Sequence, residues 1–168
     1  MSILTFVPLL AVGSDPLALE ALVTEVRAVA VARPAGCGAI ATFLGLVRSP
    51  NQGRVVQYLE YEAYPPLALH AFARIQREAA DRWPGIVVAI HHRTGRIEVG
   101  DASVVVVAAS AHRADACQAS RYAIERVKQI APVWKREYFD GGSVWIEGAV
   151  AEPDDEQARQ ESLARSCA

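Results

Sequence analysis

Lysine is almost absent from this sequence. Of 17 lysines and arginines in 168 residues, only Lys128 and Lys135 are lysines. General solubilising charge is left to arginine, so the two lysines need another explanation. What lysine offers over arginine is a compact amine that can lose its proton and act as a base or nucleophile. Cysteine is nearly as scarce. Cys37, Cys117 and Cys167 are odd in number, far apart and without metal-ligand spacing, and they suit a reducing, cytoplasmic setting. Excess charge of one sign is missing too, the formal net charge being −2. That balance excludes broad attraction to nucleic acid or to an acidic membrane, so any anion site must be local. The apolar run Ala102 to Ala111 is much too short to span a bilayer. The apolar N-terminus, Met1 to Val12, has no Lys or Arg ahead of it and is interrupted by Pro8. It reads as a strand rather than a signal peptide. There is no G-x-G-x-x-G, G-K-[ST], C-x-x-C or H-E-x-x-H, so the usual dinucleotide, phosphate-loop, redox and zinc-protease signatures are absent.

What is present is a globular composition, 52% hydrophobic and 21% charged, in a chain of one-domain length. Ser2 to Val12 is expected as an edge strand, where Pro8 is tolerated. Ser14 or Asp15 is a natural N-cap with Pro16 at the first helical position, ahead of an apolar stripe from Leu17 through about Ala30. Cys37 to Val47 reads as a central strand ending at Arg48, followed by a flexible polar loop, Ser49 to Gly53. Val55 to Tyr61 alternates as a strand, and Leu67 to Trp83 has helical periodicity. Ile86 to His91 is a strand, with turns at Thr94-Gly95 and Gly100-Asp101. Ser103 to Ala109 has no polar face and must be buried on both sides. Arg113 to Ile130 is a helix. Pro132 then forces Ala131 out of the helical region, and Val133 to Phe139 with Ser143 to Glu147 form a hairpin around Asp140-Gly141-Gly142. Strands and helices in this order predict an α+β or α/β fold. Residues 1–148 are expected to form a single domain, and the polar, acidic segment 149–168 a mobile tail or a loosely held helix.

Cationic groups gather at three element ends. Arg48 stands where a buried strand runs into the polar loop. His112 and Arg113 open a helix, whose free N–H groups and dipole suit an anion. Lys128 and Lys135 flank the Pro132 bend, with Arg136 and Glu137 beyond, so the two arms can converge on one pocket. Alternatively, Lys128 merely complements a helix C-terminus and Lys135 is an ordinary strand charge. His91-His92 lack a partner carboxylate at metal-site spacing, His70 reads as a surface residue, and Cys117 as a packed one.

The motifs A-T-F-L-G-L-V-R (41–48), L-E-Y-E-A-Y (59–64), R-W-P (82–84), H-R-T-G (92–95), V-G-D (99–101), S-A-H-R (110–113), V-K-Q-I-A-P-V-W-K-R-E (127–137) and W-I-E (145–147) occur in one order. Together they make the stretch Gly36 to Glu147 resemble the catalytic (large) subunit family of molybdopterin synthase. The resemblance implies an α/β-hammerhead-like α+β domain with an added antiparallel β part. It implies a sulfurtransferase of molybdenum cofactor biosynthesis that converts a cyclic pyranopterin monophosphate into the molybdopterin dithiolene. The sulfur donor would be a small ubiquitin-like carrier ending in a Gly-Gly thiocarboxylate. The assembly would be a homodimer with one carrier at each end, hence a heterotetramer, and no metal or other cofactor would be needed.

By matching position, Leu46, Val47, Arg48, His112 and Arg113 would bind the pterin and its phosphate. Lys128 would meet the carrier's C-terminus, Lys135 and Arg136 would complete the anion pocket, and Glu137 would close it. One departure stands out: some relatives carry an arginine after W-x-E, whereas Gly148-Ala149 follow here. A different reading of the same cations is a non-catalytic anion-binding module that docks a small protein. An acyltransferase binding coenzyme A or a nucleotide would need a phosphate-loop signature that is missing.

Overall fold

The computed structural model describes residues 7–146 and 148–167. Met1, Ser2 to Phe6 of the expected first strand, and Glu147 of the hairpin lie outside these residues. The described elements run β1 (Leu10–Gly13), α1 (Leu19–Val31), β2 (Ala39–Leu46), β3 (Val56–Ala63), α2 (Pro65–Arg82), β4 (Val87–Arg93), β5 (Gly95–Glu98), β6 (Ala102–Ser110), α3 (Arg113–Ile130), β7 (Val133–Phe139), β8 (Gly142–Ile146) and α4 (Glu156–Cys167). The class is α+β. One sheet has the order β1-β4-β6-β2 and the other β5-β3-β7-β8. The second is antiparallel throughout and forms the added β part. No described helix is long and apolar enough to cross a membrane.

Strand β6 sets the layers. Successive side chains of a strand point to opposite faces. Val104, Val106 and Ala108 pack with α2 and α3 residues such as Phe72, Ile75 and Tyr122. Val105, Val107 and Ala109 pack with Leu22, Val26 and Ala30 of α1. The run of valines thus separates two cores, as its lack of a polar face demands. A smaller core of Val47, Val56, Leu59 and Ile97 lies under the second sheet.

Several sequence expectations are corrected. Strand β2 is the outer strand of its sheet, not a central one. Leu44 and Leu46, which made it look interior, are 40% and 54% exposed. Helix α1 begins at Leu19 with Ala18 as N-cap and no side-chain cap bond, so Pro16 lies ahead of the helix. Leu17 instead packs against the α1 core, and tertiary packing outweighs the local cap. Strand β5, which overlaps the turn expected at Thr94-Gly95 and otherwise lies in a stretch given no element, pairs with β3 and buries Ile97. The loop Ser49 to Gly53 contains a tight turn, in which Asn51 and Arg54 exchange two backbone hydrogen bonds of 2.9 Å. Gln52 and Gly53 have φ of 47° and 77°, the paired left-handed conformation of a type I′ turn.

Segment 149–167, read as a mobile tail or a loosely held helix, carries α4. Its Ala158, Ser162 and Ser166 are buried. The acidic run supplies the helix cap, because the Ala158 N–H donates to Asp155 Oδ1 at 3.0 Å. Beneath lies a buried polar network. Arg126, fully buried, donates from Nε and Nη2 to the two oxygens of Glu78 at 2.9 Å each. Tyr122 and Arg74 donate to the same carboxylate at 2.7 and 2.9 Å. Arg126 also donates to Gln129 Oε1 and to the Pro153 carbonyl, and Ser162 donates to Gln129. Burial alone would raise the Glu78 carboxyl, but the hydrogen bonds from Arg126, Tyr122 and Arg74 outweigh it and hold it below the usual carboxylate range.

Breaking a buried pair from one side strands a charge. Glu78→Ala should cost about 3–5 kcal/mol in urea unfolding, whereas Glu78→Leu combined with Arg126→Met should cost much less. Equal losses would mean that the pair is not what holds these helices.

The fold should also lose stability in acid in two stages. His92 is buried with Nδ1 bonded to the Arg93 carbonyl, and burial lowers its pKa to about 4. The unfolded chain therefore binds a proton below about 6.5 that the folded chain refuses until about 4. Stability falls across that window by ~3 kcal/mol. His91, also lowered by burial, adds in the same direction. Glu78 acts lower still, its contribution being lost as pH drops below the ordinary carboxylate range. His92→Phe should flatten the change in unfolding midpoint between pH 6.5 and 4, leaving the lower stage in place.

Candidate active site

A cavity of about 760 Å³ opens where the two sheets meet. One side comes from β2 and the end of α3, the other from β3, β7 and the residues after β8. The Pro132 bend joins them. Ala131 is extended at φ −76° and ψ 126°, and β7 starts at Val133. This carries the chain from the last turn of α3 directly into the second sheet. Lys128 and Lys135, on the two arms, both line the cavity. Neither has an ion pair among the described residues.

Of the other residues singled out from sequence, Leu46, Arg48 and Glu137 also line this cavity. Val47 is buried beneath it in the small core. Arg136 is not brought in, because alternate residues of β7 face opposite ways. Its Nε donates to Ser143 Oγ at 2.9 Å, and its guanidinium lies 5.2 and 5.7 Å from the Tyr138 and Trp145 ring centres. His112 and Arg113 are exposed at the start of α3. Arg113 and Lys128 stand fifteen residue steps apart on one helix, roughly 22 Å at 1.5 Å per residue. One ligand of ordinary size does not touch both within one chain.

The Glu137 carboxylate is 2% exposed. Its Oε1 accepts from Asn51 Nδ2 at 2.5 Å and its Oε2 from Arg54 Nη2 at 3.4 Å. Asn51 Oδ1 in turn accepts from Arg48 Nη2 at 3.3 Å. Tyr61, His92 and Ser103 also line the cavity; the sequence reading assigned no role to Tyr61 or Ser103 and weighed His92 only as a metal ligand. The Tyr61 and His92 rings meet edge to face at 5.1 Å. Burial raises the Tyr61 hydroxyl, a hydrogen bond with Ser103 opposes this, and the Glu137 charge raises it further. Both rings are therefore neutral near pH 7. The period-two alternation of β3 places Leu59 and Tyr61 on one face and was the available signal. Nothing in the sequence showed that β4 would bury His92 beside them.

Gly148 has a steric reason. A Cβ there would stand 2.9 Å from Trp134 Cδ1 and 3.1 Å from the Val133 carbonyl oxygen, so any larger residue at this point requires the Trp134 side chain to shift. Among the described residues, no three His, Cys, Asp or Glu side chains cluster as metal ligands. The cavity offers three cations, one neutralised carboxylate and a neutral polar wall. Such a set is suited to hold anions and leaves a primary amine free for chemistry.

Comparison with known proteins places this arrangement. The family described as MoaE protein matches residues 12–130. The molybdopterin synthase catalytic subunit of Halalkalibacterium halodurans is 50% identical over 109 residues, 65% of this chain and 70% of that one. Its Bacillus subtilis counterpart is 47% identical over 109 residues, 65% and 69% of the two chains. Among solved structures, molybdopterin synthase from Staphylococcus aureus superposes with a TM-score of 0.77 at 35% identity, over 84% of this chain and 99% of that one. A MoaE protein from Burkholderia ambifaria gives 0.71 at 33%, over 93% and 96%. By sequence and by fold, the chain belongs to the MoaE protein family.

Proposed function

We propose that this chain is the catalytic subunit of a molybdopterin synthase. It acts in the cytoplasm, as a homodimer that binds one small carrier at each end. Sulfur passes from the carrier's C-terminal thiocarboxylate to cyclic pyranopterin monophosphate, building the dithiolene. The observation that carries this reading is that the chain's only two lysines line one cavity together with Arg48. A cavity of about 760 Å³ lies within the usual range for small-molecule sites. A terminal Gly-Gly, lacking side chains, suits threading into it.

A thiocarboxylate is already nucleophilic, so the protein's work is to position it and to neutralise anions. Arg48 and Lys135 hold the phosphate side. Lys128, in the last turn of α3, meets the carrier's acyl end and supplies an amine that can carry a proton as water cleaves the acyl–sulfur bond, which leaves the sulfur on the pterin as a thiolate and the carrier as a free carboxylate. Glu137, already bonded to Asn51 and Arg54, closes the floor. A docking module would use the same cations for charge alone, and replacing lysine by arginine separates the two readings.

Single-turnover assays with thiocarboxylated carrier and the pterin precursor test this directly. Wild type should form the dithiolene. Lys128→Arg should bind both ligands and lose most of the activity, on the order of 100-fold, because guanidinium does not give up its proton at usable pH. Lys135→Arg should be milder. Wild type without product would remove the enzyme reading. A fully active Lys128→Arg would leave that lysine a purely electrostatic part.

His112 and Arg113 then act on a ligand held by the second copy of the homodimer, since they stand at the far end of α3 from Lys128. Mixing Lys128→Ala with Arg113→Ala chains should restore about a quarter of wild-type activity: half the dimers are mixed, each with one intact composite site. No recovery would place the Arg113 contribution in its own chain's site.

A further inference from the structure

Arg48 stands at the cavity's rim on an exposed loop, where an arginine would ordinarily sample many rotamers. Here a chain of contacts ties it to the cavity floor. Asn51 and Arg54 are bridge partners across the tight turn at Gln52-Gly53, so their side chains leave the same face. They reach one oxygen each of Glu137, Asn51 at 2.5 Å and Arg54 at 3.4 Å. The Asn51 amide has only one workable orientation. A carboxylate only accepts and a guanidinium only donates. Nδ2 must face Glu137 and Oδ1 must face Arg48, as the distances of 2.5 and 3.3 Å show. An amide is the side chain that can serve both neighbours at once. Aspartate, of the same size, has no donor for Glu137, and leucine serves neither.

We infer that Asn51 is a positioning residue for Arg48, and that Glu137 is the buried anchor of this relay rather than an acid or base. The inference deepens the proposed function, since it rests on Arg48 as a phosphate-binding group. Arg54 makes the second tie to the anchor and sets the turn on the Glu137 side of β7. Arg48 is thereby presented to the cavity with its rotamer already chosen, which lowers the cost of ordering it around an anion.

The test is a double-mutant cycle in the full chain with thiocarboxylated carrier, joined to amide hydrogen exchange of residues 48–54. Asn51→Leu should raise KM for the pterin phosphate about tenfold, the effect of losing a charge-assisted hydrogen bond. It should leave kcat nearly unchanged, because the phosphate contact is uniform along the reaction. In an Arg48→Ala background the same substitution should add almost nothing. Exchange across 48–54 should quicken in Asn51→Leu and in Asn51→Asp alike. The inference is overturned if Asn51→Leu multiplies KM by the same factor with and without Arg48. It is equally overturned if exchange in that segment is unchanged in both variants. Exchange does not depend on turnover, so a wild type inactive on the pterin would defeat the proposed function while exchange still decided the relay.

Discussion

The bidentate pair between Glu78 and Arg126 is the contact on which the site's geometry depends. Arg126 and Lys128 lie two residues apart on α3, roughly 200° around the helix at 100° per residue. Fixing Arg126 to α2 on one face therefore orients Lys128 towards the cavity on the other. The same guanidinium reaches the Pro153 carbonyl, and the neighbouring Gln129 carbonyl accepts from the Val150 and Ala151 N–H groups at 3.0 Å. Gly148 and Val150 line the cavity, so one buried pair governs both the helix that presents the amine and the strap that walls it. A well-packed apolar replacement could match the pair's stability. It would not reproduce four simultaneous hydrogen-bond directions on one carboxylate.

Arginine and lysine are divided by task. Arg126 is locked by a carboxylate fork, Arg136 by a hydroxyl and two aromatic rings, and Arg96 stands 3.8 Å over the Tyr58 ring centre while paired with Glu98. These uses exploit a planar, permanently charged group with fixed donor directions. Lys128 and Lys135 are given no such partner among the described residues and are left to face the cavity. The scarcity of lysine in the composition thus goes with a structural division: these arginines are held by partners, whereas the two lysines face the cavity with no ion pair among the described residues.

Much of this was legible in the sequence, and the exceptions have physical causes. The buried β6, the full extent of α3 and the bend at Pro132 follow from apolar patterning and proline sterics, which act locally and strongly. Strand β5 was missed because Gly95, Arg96, Ile97 and Glu98 carry a single apolar residue, whose burial depends on pairing with a distant β3. Strand β2 looked central because its residues are apolar, yet Leu44 and Leu46 are exposed at the cavity mouth. Pocket-lining residues and core residues have the same composition there. The convergence of Lys128 and Lys135 was predictable from one bend. The roles of Asn51 and His92 were not, since each depends on partners more than 30 residues away, Glu137 for one and Tyr61 for the other.

The basic residues singled out together in the sequence divide into separate sets in space. A thiocarboxylate and a phosphate brought to reacting distance repel each other, and a site that joins them must offset that repulsion. Within one chain the cavity provides Arg48, Lys128 and Lys135 against Glu137, whose charge is already met by Arg54 and by the Asn51 amide. Under the proposed function, these three residues would face both anions. His112 and Arg113 are exposed at the N-terminus of α3, roughly 22 Å along the helix from Lys128. In the composite site proposed above, α3 would serve one cavity through its C-terminal turn and another through its N-terminus.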